Sequence, residues 1–321
     1  MTKIDLITGT LGVGKTTFLR RYAQYLLRQG QRIAILENDF GAVNVDIMML
    51  RDLQSEQCTV QTVAGCTDPH CHRRRLRTQL IALGMQHFDR VLMEPSGIFD
   101  MDEFFDTLYE SPLDRWFEIG SVLAIADAQA QETGTEQAEY LFASQAAYAG
   151  KLIVSKLKPD DQPEAVCKRI LDHLRGAGAG IHCDRQFSPD DLLIQHWDAL
   201  TDADFAALMH AGYRRSSFVK QFQMEQIGSN VHYFMRIQTA PEQIEPMIRE
   251  IFAAGGNIRR IKGALPVPDG WRKINATPAA VETEPVPSAQ AVLIVIGDDV
   301  NRAAVDAVIA KYNTDADFVS I

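Results

Sequence analysis

Nine consecutive residues constrain this chain more than any others. Gly9-Thr10-Leu11-Gly12-Val13-Gly14-Lys15-Thr16-Thr17 satisfies the pattern G-x-x-x-x-G-K-[ST] at every fixed position. Lys3 to Thr8 before it reads as a short buried strand. After it, Phe18, Leu19, Tyr22 and Leu26 recur at helical spacing from Lys15 to Arg28, and Gly30 falls where a helix C-cap belongs. A strand that runs through a glycine loop into a helix N-terminus cradles an anion, because backbone N–H groups turn inward and the helix adds partial positive charge. Gly9, Thr10, Gly12, Val13, Gly14, Lys15, Thr16 and Thr17 are therefore expected to line phosphates. Lys15 reaches the β- and γ-phosphates, and the Thr16 hydroxyl holds Mg²⁺. The reading is a nucleotide-binding α/β fold.

The next strand, Gln31 to Leu36, ends in Glu37-Asn38-Asp39-Phe40-Gly41. Acids at the C-terminal edge of an open α/β sheet lie where ligands bind. Glu37 or Asp39 is thus a candidate partner of Thr16 on Mg²⁺ or on a transported metal; the alternative is a loop whose acids serve its own turns. A third strand, Cys58 to Val63, leads to Ala64-Gly65-Cys66-Thr67-Asp68-Pro69-His70-Cys71-His72. Cys66, His70 and Cys71, with His72 beside them, are plausible ligand chemistry for zinc or a similar borderline metal, at no finger spacing. The competing reading is a small buried thiol with solvated imidazoles. Arg73-Arg74-Arg75 is expected to open a helix carrying Leu76, Leu80 and Leu83, either as a solvated charge run or facing phosphate or an acidic partner.

Phe88 to Met93 is the next strand, ending in Glu94-Pro95-Ser96-Gly97. An apolar strand that terminates in an acid suits orientation of Mg²⁺ or of an attacking water, and Gly97 suits a backbone that senses a γ-phosphate. Lys15, Glu94 and Gly97 are the candidate catalytic residues. Strands at Ser121–Asp127 and Lys151–Val154 follow, joined through a helix near Glu136–Tyr148. The second ends in Ser155-Lys156-Leu157-Lys158. Ser155 and Lys156 stand where guanine-specific proteins carry N-K-x-D, but position 158 is lysine. Asp160 or Asp161 could supply the acid only in a differently arranged loop, so guanine and adenine both stay open.

Gly176 to Gly180 reads as a loop, Ile181-His182-Cys183 as a short strand, Ser188 to Leu193 as a capped helix start, and Asp202 to His210 as a short helix. From Val231 onward the pattern becomes strand, helix, strands and closing helix. The stretch Thr277 to Gln290, rich in Pro, Ala and Glu, is expected to be an exposed loop. The expectation is a P-loop domain with a mostly parallel sheet over residues 1–210 and a smaller α+β domain over 215–321.

Composition excludes several classes. A net charge of −10 with 23% charged residues disfavours a protein that holds nucleic acid through a broad basic face. No apolar run has the length needed to span a membrane, and with the first strand expected to begin at the N-terminus, no signal peptide is expected. The five cysteines are expected to be reduced thiols in the cytoplasm.

Together, Thr8 to Thr17, Glu37 to Gly41 with Asp46, Gly65-Cys66 and Glu94 to Gly97 resemble the CobW-type metallochaperone GTPases, relatives of UreG and HypB. Arg259-Arg260-Ile261-Lys262-Gly263, Asp269-Gly270-Trp271 and Leu293 to Gly297 resemble that family's second domain. The resemblance implies hydrolysis of GTP coupled to delivery of zinc or cobalt to a client metalloprotein or cofactor-assembly protein, with a nucleotide-dependent dimer among the expected assemblies. It also places Cys66 in a metal-binding C-x-C-C element, whose second and third cysteines are Asp68 and Pro69 here. A different class of function fits the same phosphate loop: an assembly or regulatory chaperone gated by nucleotide, ATP included, with no metal of its own. A small-molecule kinase would need a substrate lid, and no segment suggests one.

Overall fold

The computed structural model describes residues 1–38, 50–63, 69–97, 99, 101–129, 135–222, 231–287, 289, 291–298, 300–315 and 319–320. Asp39 and Cys66 lie outside these residues, as do the neighbouring Asp46 and Asp68. Two compact units are formed, one by the described residues up to Phe222 and one by those from Val231.

The first unit runs β1 (Thr2–Thr8), α1 (Lys15–Arg28), β2 (Ile33–Asn38), β3 (Cys58–Val63), α2 (Pro69–Gly84), β4 (Arg90–Pro95), α3 (Met101–Tyr109), α4 (Leu113–Trp116) and β5 (Phe117–Asp127). It continues with α5 (Glu136–Tyr148), β6 (Lys151–Ser155), α6 (Pro163–Gly180), β7 (Leu192–Leu193) and α7 (Asp202–Met209). The seven strands lie in the order β3-β2-β4-β1-β5-β6-β7 and pair in parallel. Both faces are covered, which is why the strands read as nearly continuous apolar runs. Side chains alternate between the faces. Ile4, Leu6, Val91 and Met93 pack with residues of α2, α3, α5 and α6, whereas Ile7, Ile35 and Leu92 pack with Phe18 and Leu19 of α1 and with Phe205 and Leu208 of α7. From β1 the chain travels to β2 and β3 on one side, and from β4 it crosses to β5 and β6 on the other. Such a reversal opens a crevice at the C-terminal strand ends, where the Gly9–Gly14 loop sits.

The second unit comprises β8 (Val231–Met235), α8 (Pro241–Ala254), β9 (Asn257–Val267), β10 (Gly270–Thr277), β11 (Ala280–Val286), β12 (Val292–Asp298), α9 (Arg302–Tyr312) and β13 (Val319–Ser320). Its antiparallel sheet has the order β11-β10-β9-β12-β8-β13. Ile244, Met247, Ile248 and Ile251 of α8 join Val305 and Ile309 of α9 over Ile261, Leu265, Leu293 and Val295.

Four sequence expectations are corrected. The Gly176–Gly180 run is the last part of α6, not a loop; Leu174 and Ala177 are buried in its packing face, and Cys183 N donates to the Gly178 carbonyl. Tertiary packing there overrides the weak helix propensity of glycine. His182 and Cys183 consequently belong to the turn after that helix, not to a strand. The seventh strand is instead Leu192–Leu193, preceded by a 3₁₀ turn at Pro189–Asp191 that Ser188 and Asp191 close as a capping box. The expected loop after Thr277 contains β11, paired with β10 from Thr277↔Ala280 to Trp271↔Val286 and braced by Lys273–Glu284 at 2.6 Å. An exposed edge strand has no apolar alternation to reveal it, and Pro285 is tolerated at an edge. Finally, α2 begins at Pro69 rather than at Arg73, so His70, Cys71 and His72 lie in its first turn.

Candidate functional site: a phosphate loop facing two strand-end carboxylates

The loop is built for an anion by what its helix lacks. Gly14 is the N-cap of α1 and has no side chain to satisfy the first N–H groups, and no acid occupies the first turn to offset the dipole. Gly9, Gly12 and Gly14 all have positive φ, 103° at Gly14, which turns the loop backbone inward. The flank of Gly14 is closed by Trp197: a Cβ placed on Gly14 would lie 3.0 Å from the indole. Trp197 itself donates through Nε1 to the Val154 carbonyl at 2.9 Å and packs edge-on against Phe18. Nothing in the sequence spacing pointed to Trp197, because it reaches the loop only through the last strand of the sheet.

Lys15 and Thr16 are buried, with Lys15 folded over the loop so that Nζ donates to the Thr10 carbonyl at 3.4 Å. Thr16 Oγ1 donates to Glu94 Oε1 at 3.0 Å. Glu94 lies at the end of β4, and Glu37 is its register partner on β2. Glu37 is 3% exposed and Glu94 6%, so two carboxylates converge with a threonine hydroxyl in a space largely closed to solvent. Adjacent Asn38 is fully buried, and among the described residues neither polar atom of its side chain has a hydrogen-bond partner. This donor set fits a hard divalent cation, which prefers oxygen ligands, and the loop fits the phosphates that such a cation bridges.

Gly97 closes the site from β4. A Cβ added there would stand 2.6 Å from the Leu11 backbone nitrogen, so Gly97 and the phosphate loop touch backbone to backbone. Its carbonyl accepts from Gln145 Nε2 at 2.9 Å, and Ser96 N donates to the Asn38 carbonyl at 2.7 Å, which ties the ends of β4 and β2 together.

On the other flank, Ser155 is buried and donates to the Ala126 carbonyl at 3.3 Å. Lys156 adopts the left-handed conformation (φ 55°), and its Nζ pairs with Asp127 Oδ2 at 2.6 Å. Asp127 ends β5 and was legible only as a strand-terminal acid. Asp161 Oδ2 accepts from Lys158 N at 2.8 Å and from Gln129 Nε2 at 2.9 Å, so an acid does enter this loop although position 158 is lysine.

Of the sulfur and imidazole residues, Cys71 and His72 are turned by helical geometry into different surroundings. Cys71 is half-buried at the start of α2, while His72 is fully enclosed, and burial together with the Arg75 charge pushes its pKa down to about 4. His72 is therefore a neutral interior residue and not a solvated imidazole. Among the described residues, no group of three or more His, Cys, Asp or Glu is arranged to hold a metal. Arg74 and Arg75 are exposed, as a solvated charge run would be, while partly exposed Arg73 joins Arg77 in gripping Glu110, at 2.7 and 3.3 Å. Cys58 is buried at the start of β3, where burial pushes its thiol up to about 11.

The fold and this site define a nucleotide-binding protein of the P-loop class. A model of the "CobW/HypB/UreG, nucleotide-binding domain" family matches residues 3–179, more than half of the chain, and the protein belongs to that family. It is 29% identical over 175 residues to the zinc chaperone YjiA of Escherichia coli K12, a match covering 52% of this chain and 53% of the relative. It is 28% identical over 159 residues to the zinc chaperone YeiR of the same organism, covering 49% and 47%. The chain thus matches about half the length of these curated relatives. Among solved structures, Zn(II)-bound YjiA GTPase from E. coli aligns over 98% of this chain and 99% of its own, with 15% identity and a TM-score of 0.36. No helix among the described residues is long and apolar enough to cross a membrane.

Proposed function

We propose that this protein is a Mg²⁺-dependent nucleoside triphosphatase, with GTP as its preferred substrate, that couples cleavage of the β–γ bond to delivery of a zinc-class ion to a client metalloprotein or assembly factor. The observation that carries the reading is the Thr16–Glu94 hydrogen bond beneath the phosphate loop, with Glu37 beside Glu94 on the neighbouring strand. A divalent cation held by Thr16, Glu94 and Glu37 would draw negative charge off the β- and γ-phosphates. Lys15, released from the Thr10 carbonyl, donates to the oxygens on which charge develops, and the inward N–H groups of the loop do the same. Gly97, in backbone contact with Leu11, responds to the presence of the γ-phosphate. Ser155 and Lys156 lie at the end of β6 as the base-facing pair. The names of the curated relatives support zinc as cargo.

In this reading residues 1–210 form the nucleotide domain, and 215–321 supply a docking or regulatory surface. Cys66, His70 and Cys71, with Asp39, are the proposed route of the cargo ion. The test is a nucleotide panel read by calorimetry on the reduced protein, with and without Zn²⁺ and Co²⁺. Stoichiometric metal binding that is lost in a Cys66→Ser/Cys71→Ser double variant is the expected result; retained binding in that variant sinks the assignment. One observation favours a second reading. His72 turns into the interior while Cys71 stays half-buried, so consecutive residues of the ligand run point apart. A nucleotide-gated assembly chaperone without its own metal would bind GTP normally and give no stoichiometric metal isotherm.

Gly97→Ala provides a direct check on the γ-phosphate contact. The new methyl group has to displace the Leu11 backbone or move Gly97 away from it. A nonhydrolysable triphosphate should then bind about tenfold more weakly, near 1.4 kcal/mol, while diphosphate affinity changes by less than about twofold. Equal losses for both nucleotides would remove Gly97 from that role.

A further inference from the structure

Gly97 is held from behind by a side chain that the phosphate chemistry does not itself require. Gln145 lies on α5, is 1% exposed, and donates through Nε2 to the Gly97 carbonyl at 2.9 Å. Because a carbonyl can only accept, this contact fixes which end of the amide faces Gly97. The other end, Oε1, is buried and has no hydrogen-bond partner among the described residues. A buried amide with one end unmet is unfavourable relative to an apolar side chain of the same size. Gln145 is therefore not there for packing, and its one polar contact is with the residue that touches the phosphate loop.

We propose that Gln145 is the positioning residue that sets the Gly97 peptide for a triphosphate in preference to a diphosphate; this rests on the nucleoside triphosphatase reading above. Gly97 is confined on one side by the Leu11 backbone, which leaves no room for a Cβ, and on the other by the Gln145 amide. The amide presents a donor and an acceptor on one rigid plane. With its donor engaged, it fixes the orientation of the Gly97 carbonyl. Held in that one orientation against Leu11, Gly97 is already ordered for a γ-phosphate at the loop, and a diphosphate makes no use of it. Gln145 acts through Gly97 and does not itself touch nucleotide.

The test uses the full chain and two variants, Gln145→Met and Gln145→Glu, with Mg²⁺ and either GDP or a nonhydrolysable GTP analogue. Gln145→Met keeps the length and removes both hydrogen-bonding ends. We expect the ratio of triphosphate to diphosphate affinity to fall about tenfold and single-turnover hydrolysis to fall about 10- to 100-fold, with GDP affinity and the thermal midpoint nearly unchanged. Gln145→Glu has a pH signature that a merely structural role would not produce. Its buried carboxyl donates to the Gly97 carbonyl only when protonated, so the affinity ratio should recover as pH is lowered from about 8 to about 6. Equal weakening of both nucleotides, or an unchanged ratio in both variants, overturns the proposal while leaving the triphosphatase reading in place. Failure of the unsubstituted protein to bind either nucleotide overturns both.

Discussion

Lys15→Ala is expected to lower kcat/KM for nucleoside triphosphate hydrolysis by about 10²- to 10³-fold, the loss that follows removal of one preorganised donor from developing oxyanion charge. The argument rests on position. Lys15 is 7% exposed and already bent across the loop to the Thr10 carbonyl, so its ammonium group occupies the concave side where phosphate oxygens would lie. Alanine at this position leaves the glycine conformations and the start of α1 intact, and the variant should unfold within a few degrees of the parent. Steady-state phosphate release and thermal melting, measured side by side, separate the two quantities. Unaltered hydrolysis would show that turnover occurs elsewhere on the chain.

The largest effect on stability is expected below the site, at the buried pair Asp5–Arg90. Asp5 is fully buried in the middle of β1, and the Arg90 side chain from β4 is 4% exposed. Asp5 also accepts from Tyr22 Oη at 2.8 Å and from Ser121 N at 2.7 Å. The last bond comes from the point where the register between β1 and β5 shifts. One carboxylate therefore links three strands to α1, directly under the phosphate loop. Arg90→Met strands that carboxylate in the interior and should remove about 3–5 kcal/mol. At about 2–4 °C per kcal/mol for a unit of this size, the melting midpoint should drop by about 6–20 °C.

The sign of the pH response follows from burial, which raises the Asp5 pKa and is opposed mainly by Arg90. Without the guanidinium, native Asp5 holds a proton at pH values where the unfolded chain has released it. Stability of Arg90→Met should consequently fall as pH rises from about 4, by up to about 1.4 kcal/mol per pH unit, until the native group also ionises. A double variant Asp5→Leu/Arg90→Met should recover much of the loss, because an apolar pair carries no uncompensated charge. A single variant as stable as the parent would mean the pair is solvated in solution.

The phosphate loop was legible residue by residue because its function is local: the glycines, Lys15 and Thr16 all lie within one strand–loop–helix unit. Glu37 and Glu94 were legible as strand-terminal acids, since a buried apolar run that ends in a carboxylate is informative without its neighbours. That they are register partners was not, and neither was the Thr16–Glu94 hydrogen bond, because strand order does not follow chain order. Trp197, Asp127 and Gln145 were missed for the same reason: each reaches the site through a sheet neighbour or a crossover helix. The errors at Gly176–Gly180 and at β11 arose where local propensity disagreed with packing.

By itself, then, the sequence determined the anion-binding loop, the alternation of strand and helix, and the residue types at the strand ends. These depend on backbone conformation and hydrophobic periodicity, which act over a few residues. Only the tertiary structure decided which carboxylate meets Thr16, what holds Gly97, and that His72 turns inward. Those outcomes depend on sheet register and side-chain burial, which bring residues dozens of positions apart within hydrogen-bonding distance.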